Sequence, residues 1–377
     1  MRVLVTGSQG FIGKNLIVRL GEIPDFDVVK FNREDDIDTL PTKLDQIDVV
    51  VHLAGENRPK DFGDFFKGNA ELTETLCKAI AAKGRKIHLI LASSRHAAVT
   101  QEHGANELTR LYGESKRAAE VAVEKLVSET ANSVIIYRMP GVFGKWCKPN
   151  YNSVVATFCH NVATNLPIQI NDPSALIELV YIDDVVTELI SALTNMDEGI
   201  HWDEITPEYT ITLGDLAQQI EAFKNSRSNL ISERVGTGWK RALYSTYLSY
   251  LLPEAFVYEL PCHRDPRGLF VEVLKTPDCG QFSYIKIPSG ETRGQHYHHT
   301  KTEKFLVANG TARFSFRNIV TEEKYEIIIH ANEIKIVESI PGWTHNITNV
   351  GNDEMIVLLW SNEIFDPDQP DTISCRV

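Results

Sequence analysis

The stretch VTGSQGFIG, Val5–Gly13, decides the fold of the first part of the chain. It places Gly7, Gly10 and Gly13 between a short apolar run, RVLVT, and an amphipathic run, FIGKNLIVRLGE. Glycines at this spacing let a strand turn tightly into a helix and let the backbone approach a diphosphate. The first N–H groups of the following helix are then available to bind such an anion. The stretch therefore predicts a nucleotide cradle after an N-terminal strand.

Strand-like and helical patterns alternate behind this stretch. Apolar runs typical of strands include FDVVKF, IDVVVHLAG, KIHLILAS and SVIIYR, and helical patterns such as NAELTETLCKAIAAKG lie between them. Short apolar strands that alternate with helices are typical of a parallel sheet covered on both faces. We therefore predict a doubly wound α/β domain of the Rossmann type.

The pattern changes in the last third of the chain. Helical periodicity nearly vanishes, and short strand-like runs such as FSYIKI, EKYEIII and EMIVLLW are separated by turn residues. That spacing favours an antiparallel sandwich or barrel. We assign residues 1–244 to the α/β domain, 245–256 to a linker and 257–377 to an all-β domain.

Composition narrows the class of protein. A length of 377 residues with 43% hydrophobic residues is enough for two globular domains, and a net charge of −13 argues against a general nucleic-acid or anionic-membrane surface. The chain opens on a strand pattern, no apolar run reaches membrane-spanning length, and the cysteines are scattered without a CxxC pair. We expect a cytoplasmic protein with reduced thiols that neither enters membranes nor binds nucleic acid.

The end of the second strand-like run bears on the choice of cofactor. An acidic residue there binds the ribose 2′-hydroxyl of NAD, whereas an arginine suits the 2′-phosphate of NADP. Here VVKF runs into Asn32 and Arg33, and EDD follows directly. The position of Arg33 favours NADPH over NADH.

A second constellation, LYGESK, follows in a helical pattern. Tyr112 and Lys116 are four residues apart, so they share one face of a helix. An ammonium group near a phenol lowers the pKa of the phenol and turns it into a usable proton donor and acceptor. Ser93 and Ser94 end the preceding strand-like run, at the sheet edge where ligands bind in such folds.

These motifs, together with HLAG, YRMPGVFG and VYIDDVV, resemble the short-chain dehydrogenase/reductase superfamily in its extended, sugar-nucleotide-modifying branch. The resemblance implies that Tyr112 is the proton donor or acceptor, that Lys116 orients the nicotinamide ribose and that Ser94 hydrogen-bonds the reacting oxygen. Many relatives carry an aromatic residue a few positions after the serine, and SSRHAAV has none, which leaves Ser93 as an alternative to Ser94. The segment directly after YRMPGVFG contains Lys145 and Asn150, which we expect to contact the sugar nucleotide.

The same resemblance implies a set of cofactor contacts besides the catalytic Tyr112 and Lys116. They are Gly7, Gln9, Gly10, Phe11, Ile12, Gly13, Arg33, Leu53, Ala54, Gly55, Asn69, Ser93, Pro140 and Val142.

The stretch GETRGQHYHHTKTEKFLVANG, Gly290–Gly310, suggests a metal site. His296 and His298 are two apart, so in a strand both imidazoles point to one face. Glu303 follows, and IPGWTHNITN adds His345. Imidazole nitrogens with one carboxylate form a reasonable first-row metal site.

These two stretches resemble the paired motifs of the cupin superfamily, although the second lacks the usual leading glycine. The resemblance implies an all-β cupin barrel, or jelly roll, with a divalent metal such as zinc. Its ligands would be His296, His298, Glu303 and His345. His299 falls on the opposite face of the strand, where we expect a surface residue.

A further resemblance leaves the role of His296 open. DPRGLFVEV and TRGQH are similar to segments of the deoxysugar 3,5-epimerases, which are cupins that act on 4-keto nucleotide sugars without a metal. In those enzymes a histidine at the position of His296 is a base, and the match places Arg267 among the substrate contacts. His296 is therefore either a metal ligand or a catalytic base.

The order of the two domains resembles bifunctional enzymes of the UDP-N-acetyl-L-fucosamine pathway, which serves capsular polysaccharide and O-antigen synthesis. The resemblance implies that the cupin domain epimerises C3 of a UDP-2-acetamido-2,6-dideoxy-4-hexulose, a UDP-linked 4-keto-6-deoxy-HexNAc. The first domain would then reduce the C4 ketone with NADPH. It also implies a homodimer, because cupin sheets often pair edge to edge.

Two other functions are compatible with the same motifs. In one, the chain is a reductase only, and the cupin domain is a dimerisation module. In the other, the chain is a non-catalytic NADP(H)-sensing protein. Such sensors often lose the Tyr-Lys pair, and the presence of Tyr112 and Lys116 favours an enzyme.

Overall fold

The chain folds into two compact units in the computed structural model. The model describes residues 1–98, 107–195, 197–256, 258–299, 301–319, 321–339 and 341–377. The first unit comprises Met1–Ile220 and Ala242–Leu251, and the second comprises Glu221–Arg241 and Leu252–Val377. The second unit thus includes residues before 244, so the domain limits proposed from the sequence stay a prediction.

The first unit is built on a parallel sheet. Its strands are β1 Arg2–Thr6, β2 Asp27–Phe31, β3 Val49–His52, β4 His88–Ser94, β5 Val134–Met139, β6 Gly141–Phe143, β7 Leu176–Tyr181, β8 Ile200–Asp203 and β9 Glu208–Thr212. Six of them form one sheet in the order β2-β1-β3-β4-β5-β8, in which every pair is parallel. This order confirms the predicted doubly wound Rossmann-type sheet. Strands β6, β7 and β9 form a smaller sheet beside it.

Helices connect these strands and follow the last of them. Between the strands lie α1 Phe11–Gly21, α2 Leu40–Lys43, α3 Leu72–Ala81, α4 Glu107–Glu129, α5 Val154–Ala163 and α6 Ile182–Thr194, with a π-helical turn at Phe66–Glu71 and 3₁₀ turns at Ile37–Thr39 and Arg95–Ala97. After β9 come α7 Leu213–Asn229, α8 Gly238–Leu248 and 3₁₀ turns at Pro253–Phe256 and Ala331–Glu333. Within the described parts of the chain, no helix has both the length and the apolar character needed to cross a membrane.

Apolar strands pack under these helices to form the core of the first unit. All four residues of β3, VVVH, are buried, as expected for a strand covered on both faces. The core that covers one face of the sheet includes Leu4, Val50, Leu76, Ile80, Leu89, Val123, Leu126 and Ile136. Burial of these side chains fixes the carboxyl ends of β1, β3 and β4 at one edge, where ligands bind in such sheets.

The second unit is an antiparallel two-sheet structure. Its strands are β10 Cys262–Asp265, β11 Gly268–Thr276, β12 Gly280–Ile287, β13 Thr292–Tyr297, β14 Glu303–Asn309, β15 Thr311–Asn318, β16 Lys324–His330, β17 Ile336–Glu338, β18 Trp343–Asn349, β19 Met355–Ser361 and β20 Ile373–Ser374. One sheet has the order β10-β11-β12-β19-β14-β17 and the other β16-β15-β18-β13-β20. Apolar side chains such as Phe305, Phe314 and Ile347 fill the space enclosed by the two sheets. The arrangement confirms the predicted cupin domain.

A buried carboxylate joins two strands of the first unit to α4. Glu120 is fully buried, and it accepts a hydrogen bond from the Ser93 hydroxyl at 2.6 Å. The Arg138 guanidinium donates to both of its oxygens, at 2.9 and 2.7 Å, and Arg117 donates at 3.0 Å. Burial alone would raise the pKa of Glu120, but these hydrogen bonds outweigh it and lower that pKa. Glu120 therefore stays charged and clamps β4 and β5 onto the helix.

Replacing Glu120 by Gln is expected to weaken this clamp. The amide cannot balance two guanidinium charges, so we expect a loss of about 1–3 kcal/mol in local stability. Hydrogen–deuterium exchange of His88–Ser94 and Val134–Met139 in the full-length protein measures this loss as faster exchange. The control is Glu124→Gln, which removes a partly exposed partner of Arg117 and should cost at most about 1 kcal/mol. Equal amide exchange rates of β4 and β5 in the Glu120→Gln and Glu124→Gln variants would contradict the role of Glu120 as a clamp.

Candidate active site and metal centre

The glycine-rich turn after β1 packs directly against the loop after β3. Gly7 has a φ of +66°, and a Cβ there would lie 2.8 Å from the Ala54 backbone. A side chain at this position would strain the turn and push the two loops apart. The turn is also tied to β2, because the Gly7 N–H donates to the Phe31 carbonyl at 2.8 Å. This close packing leaves the bare backbone of the turn able to approach a diphosphate.

Helix α1 begins with its first N–H groups uncapped by a side chain. Gly10 is the N-cap residue and offers no side-chain acceptor. Asn32, which follows β2, instead accepts hydrogen bonds from the Ser8 hydroxyl at 2.9 Å and the Gln9 N–H at 3.2 Å. An open helix start with a positive dipole end suits an anionic diphosphate. The predicted contacts between β1 and the first turn of α1 are Gly7, Gln9, Gly10, Phe11, Ile12 and Gly13.

Arg33 is paired with an acidic residue that the sequence analysis missed. Its side chain is 82% exposed, and its guanidinium contacts the Glu56 carboxylate at 2.7 Å. Arg33 follows β2 and Glu56 follows β3, and β1 lies between these strands. The pair therefore bridges the end of β1. Local patterns could not indicate it, because the two positions are 23 residues apart.

Tyr112 and Ser94 meet at the carboxyl edge of the parallel sheet. The Ser94 side chain, at the end of β4, hydrogen-bonds the Tyr112 hydroxyl. Gly113 permits this approach, because a Cβ there would lie 2.4 Å from the His96 carbonyl oxygen. The His96 ring also packs edge-on against Tyr112, with centroids 5.9 Å apart. His96 thus provides the aromatic contact that we expected to be absent from this segment.

The neighbouring Ser93 points elsewhere. Successive residues of a strand face opposite sides, and the Ser93 hydroxyl is bound to Glu120. Of the two serines, Ser94 is the one beside Tyr112. The Ser93 hydroxyl is engaged in the clamp between β4 and α4.

Burial dominates the pKa values of Tyr112 and Lys116, the predicted catalytic pair. It raises the pKa of the Tyr112 phenol, against the lowering effect of the Ser94 hydrogen bond. The Lys116 ammonium donates to the Ala92 carbonyl at 2.6 Å, and burial lowers its pKa to about 8, opposed by Glu120. We expected Lys116 to lower the pKa of Tyr112, and the structure gives the opposite direction because burial outweighs the hydrogen bond. A phenol with a raised pKa keeps its proton at neutral pH, as a proton donor must.

Asn69 organises the loop after β3. Its Nδ2 donates to the Glu56 carbonyl and to the Ser115 hydroxyl, both at 2.9 Å, and its Oδ1 accepts from the Glu56 N–H at 2.9 Å. Ser115 in turn donates to the Tyr112 carbonyl at 2.8 Å. Asn69 therefore connects this loop, which carries the predicted contacts Leu53, Ala54 and Gly55, to the helix that carries Tyr112. Its amide is committed to these protein contacts.

A buried histidine that the sequence analysis did not single out supports the same edge. The His52 Nδ1 lies 2.7 Å from the Thr6 hydroxyl, and its Nε2 lies 2.9 Å from the Thr73 hydroxyl. Burial lowers the pKa of His52 to about 3, and the charge of Lys116 adds to this effect. A neutral ring therefore links the ends of β1 and β3 to α3. The sequence signal that could have identified His52 is its place as the first residue of the HLAG motif.

The remaining predicted contacts of the first unit follow β5. Pro140 comes directly after β5, and Val142 lies in β6. The Lys145 ammonium pairs with Asp183 in the first turn of α6. Asn150 has a φ of +54°, and its N–H donates to the Thr157 hydroxyl at 3.0 Å. Lys145 therefore has a protein partner, whereas the amide side chain of Asn150 is exposed.

The four predicted metal ligands converge in the second unit. One potential ligand atom from each of His296, His298, Glu303 and His345 lies within 4.8 Å of the others. His296 in β13 pairs with His345 in β18, and their ring centroids are 4.8 Å apart. His298 follows β13, and Glu303 begins β14.

A β-bulge in β13 directs these rings. Gly294 pairs with Asn346 and His296 pairs with His345, so Gln295 is the extra residue. Gly294 and Gln295 have φ angles of +99° and +66°. The rings of His296 and His298 lie 4.9 Å apart, as their spacing predicts.

His299 and Arg267 lie outside this cluster. The exposed His299 ring contacts Tyr297 at 5.4 Å between centroids, which agrees with its predicted place on the other face. Arg267 lies in the turn between β10 and β11, half exposed, and donates to the Asp265 carboxylate at 2.6 Å. The Arg293 guanidinium reaches the same carboxylate at 3.4 Å.

The protonation of the cluster suits a cation. Glu303 Oε2 lies 3.2 Å from Nε2 of both His298 and His345. Burial alone would raise the pKa of Glu303, but these hydrogen bonds hold that pKa well below its ordinary value. Burial, with a contribution from His345, lowers the pKa of His296 to about 4. Imidazole nitrogens and a carboxylate oxygen that converge in this way are the donor set of a divalent first-row metal, so these residues fit such an ion.

Comparisons with known families match both units. Residues 3–206 match the NAD dependent epimerase/dehydratase family. Residues 263–373 match the polysaccharide biosynthesis C-terminal domain.

Two individual relatives match over the full length of the chain, and a third matches over part of it. The UDP-2-acetamido-2,6-beta-L-arabino-hexul-4-ose reductase of Pseudomonas aeruginosa is 51% identical over 377 residues, which are 100% of this chain and 99% of the relative. The crystal structure of capsular polysaccharide assembling protein CapF from Staphylococcus aureus is 38% identical, with a TM-score of 0.88 and 100% coverage of both chains. UDP-glucose 4-epimerase of Thermus thermophilus, in complex with NAD, shares the fold, at 19% identity and a TM-score of 0.55 over 68% of this chain and 100% of its own. Together these matches show that the chain belongs to the NAD dependent epimerase/dehydratase family.

Proposed function

We propose that the chain epimerises and then reduces a UDP-linked 2-acetamido-2,6-dideoxy-4-hexulose. The second unit inverts C3, and the first unit reduces the C4 ketone with NADPH. The observation that carries this proposal is the pairing of Tyr112 with Ser94 at the carboxyl edge of the parallel sheet, one loop away from the glycine cradle. The full-length relative named as a 4-ketosugar reductase supports the choice of substrate.

The order of the two reactions follows from the chemistry of the ketone. A C–H bond beside a carbonyl is acidic, because the carbanion delocalises as an enolate. Reduction of C4 removes that carbonyl, so inversion at C3 has to come first. Reduction then fixes the configuration that inversion produced.

The reduction uses three side chains of the first unit. NADPH, when bound in the glycine cradle, supplies the hydride that reaches C4. The Ser94 hydroxyl orients the C4 oxygen, and the Tyr112 hydroxyl gives that oxygen its proton. Lys116 is buried next to Gly55, with Nζ 3.7 Å from the position of a Cβ on that glycine, a place that suits a contact with the ribose. Its lowered pKa of about 8 leaves it mostly cationic at neutral pH.

The epimerisation uses the cluster in the second unit. A divalent metal, when held by His296, His298, Glu303 and His345, supplies a Lewis acid. With its pKa near 4, the His296 ring is neutral at pH 7, and a neutral imidazole can either ligate a metal or accept the C3 proton. Both roles of His296 remain parts of this proposal.

The cofactor preference rests on Arg33 and Asn32. Asn32 stands where NAD-binding relatives place an acidic residue, and its amide oxygen is occupied by the glycine-rich turn. Arg33 is exposed beside it and able to exchange Glu56 for a phosphate. We therefore infer NADPH as the preferred cofactor. A homodimer is inferred separately, from the resemblance of the second unit to cupins, whose sheets often pair edge to edge.

Tyr112→Phe is expected to lower kcat for C4 reduction at least about 100-fold, because it removes the proton donor. NADPH binding should stay unchanged, since the hydroxyl is not part of the glycine cradle. NADPH consumption with a UDP-linked 4-keto-6-deoxy-HexNAc measures the first effect, and a fluorescence titration measures the second. Tyr325→Phe, at an exposed tyrosine of the second unit, is the control. Full turnover in Tyr112→Phe would contradict the assignment of Tyr112 as proton donor, whereas an absence of turnover in the wild type would favour a non-catalytic NADP(H)-sensing function.

Arg33→Ala is expected to weaken NADPH binding about tenfold or more while NADH binding changes little, because only NADPH carries the 2′-phosphate. Titration of both nucleotides against the full-length protein measures the ratio. Arg19→Ala on α1, which removes a surface pair with Glu22, is the matched control. An equal change for both nucleotides would contradict recognition of the 2′-phosphate.

His296→Gln is expected to reduce deuterium incorporation from D₂O at C3 at least about 100-fold, because the role of His296 as ligand or base is lost. NMR of the recovered ketosugar, without NADPH, gives the measurement. His299→Gln on the opposite face is the control, and incubation with a chelator should reproduce the loss if a metal takes part. Surviving exchange in His296→Gln would mean that the second unit serves assembly and that the chain is only a reductase.

A further inference from the structure

The C-terminal segment of the chain reaches the metal cluster through one residue. The main-chain carbonyl of Asp371 lies 2.5 Å from Nδ1 of His298. A carbonyl oxygen can only accept, so Nδ1 of His298 must carry the proton of this hydrogen bond. In a neutral ring the lone pair is then on Nε2, the nitrogen that faces Glu303 at 3.2 Å.

This contact aims Nε2 of His298 into the cluster. With Nδ1 bound to the Asp371 carbonyl, Nε2 is the nitrogen left to ligate a metal ion together with Glu303. A ligating histidine commonly donates its other ring N–H to a carbonyl or carboxylate, which fixes the tautomer and the ring orientation.

The carboxylate of Asp371 binds the backbone at two points of the loop between β13 and β14. Oδ1 accepts the His299 N–H at 2.8 Å, and Oδ2 accepts the Lys301 N–H at 2.8 Å. Lys301 is 7% exposed, and its ammonium lies 3.8 Å from Oε1 of Glu303. One residue therefore positions both the ring of His298 and the backbone that leads to Glu303.

The rest of the segment fastens the strands that carry the other two histidines. The Cys375 N–H donates to the Gln295 carbonyl at 2.9 Å, beside His296. The Thr344 hydroxyl, beside His345, donates to the Cys375 carbonyl at 2.6 Å. The segment thus touches β13 and β18 as well as the loop after β13.

We propose that Asp371 is a positioning residue of the metal centre, which sets the tautomer and orientation of His298 from outside the ligand set. This inference rests on the proposed metal site of the second unit. The carboxylate holds the loop, and the carbonyl of the same residue holds the ring. The sequence gives no sign of it, because Asp371 lies 73 residues from His298.

Zinc binding to the full-length Asp371→Ala variant tests the inference. Competition with a chromophoric chelator is expected to show an affinity about ten- to a hundredfold below that of the wild type, as for other outer partners of metal ligands. Replacement of zinc by Co²⁺ gives a second readout, because a reoriented His298 shifts the visible absorption bands. Asp368→Ala in the same segment is the matched control and should match the wild type in both measurements.

Asp371→Asn separates positioning from general loss of structure. Its amide oxygen keeps one of the two N–H bonds, so zinc affinity should fall less than in Asp371→Ala. C4 reduction by the first unit reports that the variants are folded and that the proposed reductase function holds independently. Wild-type zinc affinity and Co²⁺ bands in Asp371→Ala would overturn the inference, as would a wild-type protein that binds neither metal.

Discussion

The first unit depends on a close approach of two loops at the end of β1. Because Gly7 has no side chain, the glycine-rich turn lies against the backbone at Ala54. The loop after Ala54 is then tied through Asn69 and Ser115 to the main chain at Tyr112. One steric condition therefore shapes the glycine-rich turn and also sets where Tyr112, the proposed proton donor, stands.

The two units solve the problem of buried charge in different ways. In the first, Lys116 is buried, its ammonium is bound to a main-chain carbonyl, and its pKa falls. In the second, Glu303 is buried among imidazoles, and its pKa falls because its charge is stabilised. A cation thus becomes easier to neutralise, whereas an anion becomes harder to protonate. Each outcome suits the chemistry proposed for its unit.

Local sequence patterns predicted what local geometry controls. The glycine turn, the helical spacing of Tyr112 and Lys116, and the alternation of His296 and His298 need only the period of a helix or strand. Contacts between distant positions were missed, such as Arg33 with Glu56, His298 with Asp371 and the Glu120 clamp. They depend on which strands become neighbours, and periodicity carries no information about that. The direction of the Tyr112 pKa was also wrong, because burial is a property of the whole fold.

The bulge at Gln295 has a consequence for how such chains vary. It is a single additional residue in β13 with no opposite number in β18, and the residues on either side of it, Gly294 and His296, keep Asn346 and His345 as their partners. Deleting it would leave those pairs, composition and hydropathy almost untouched, yet the local bend and added twist that a bulge gives a strand would be lost directly before His296. The number of residues between Arg293 and His298 therefore sets the aim of the imidazoles, although it alters neither the chemistry of the ligands nor the residues opposite them.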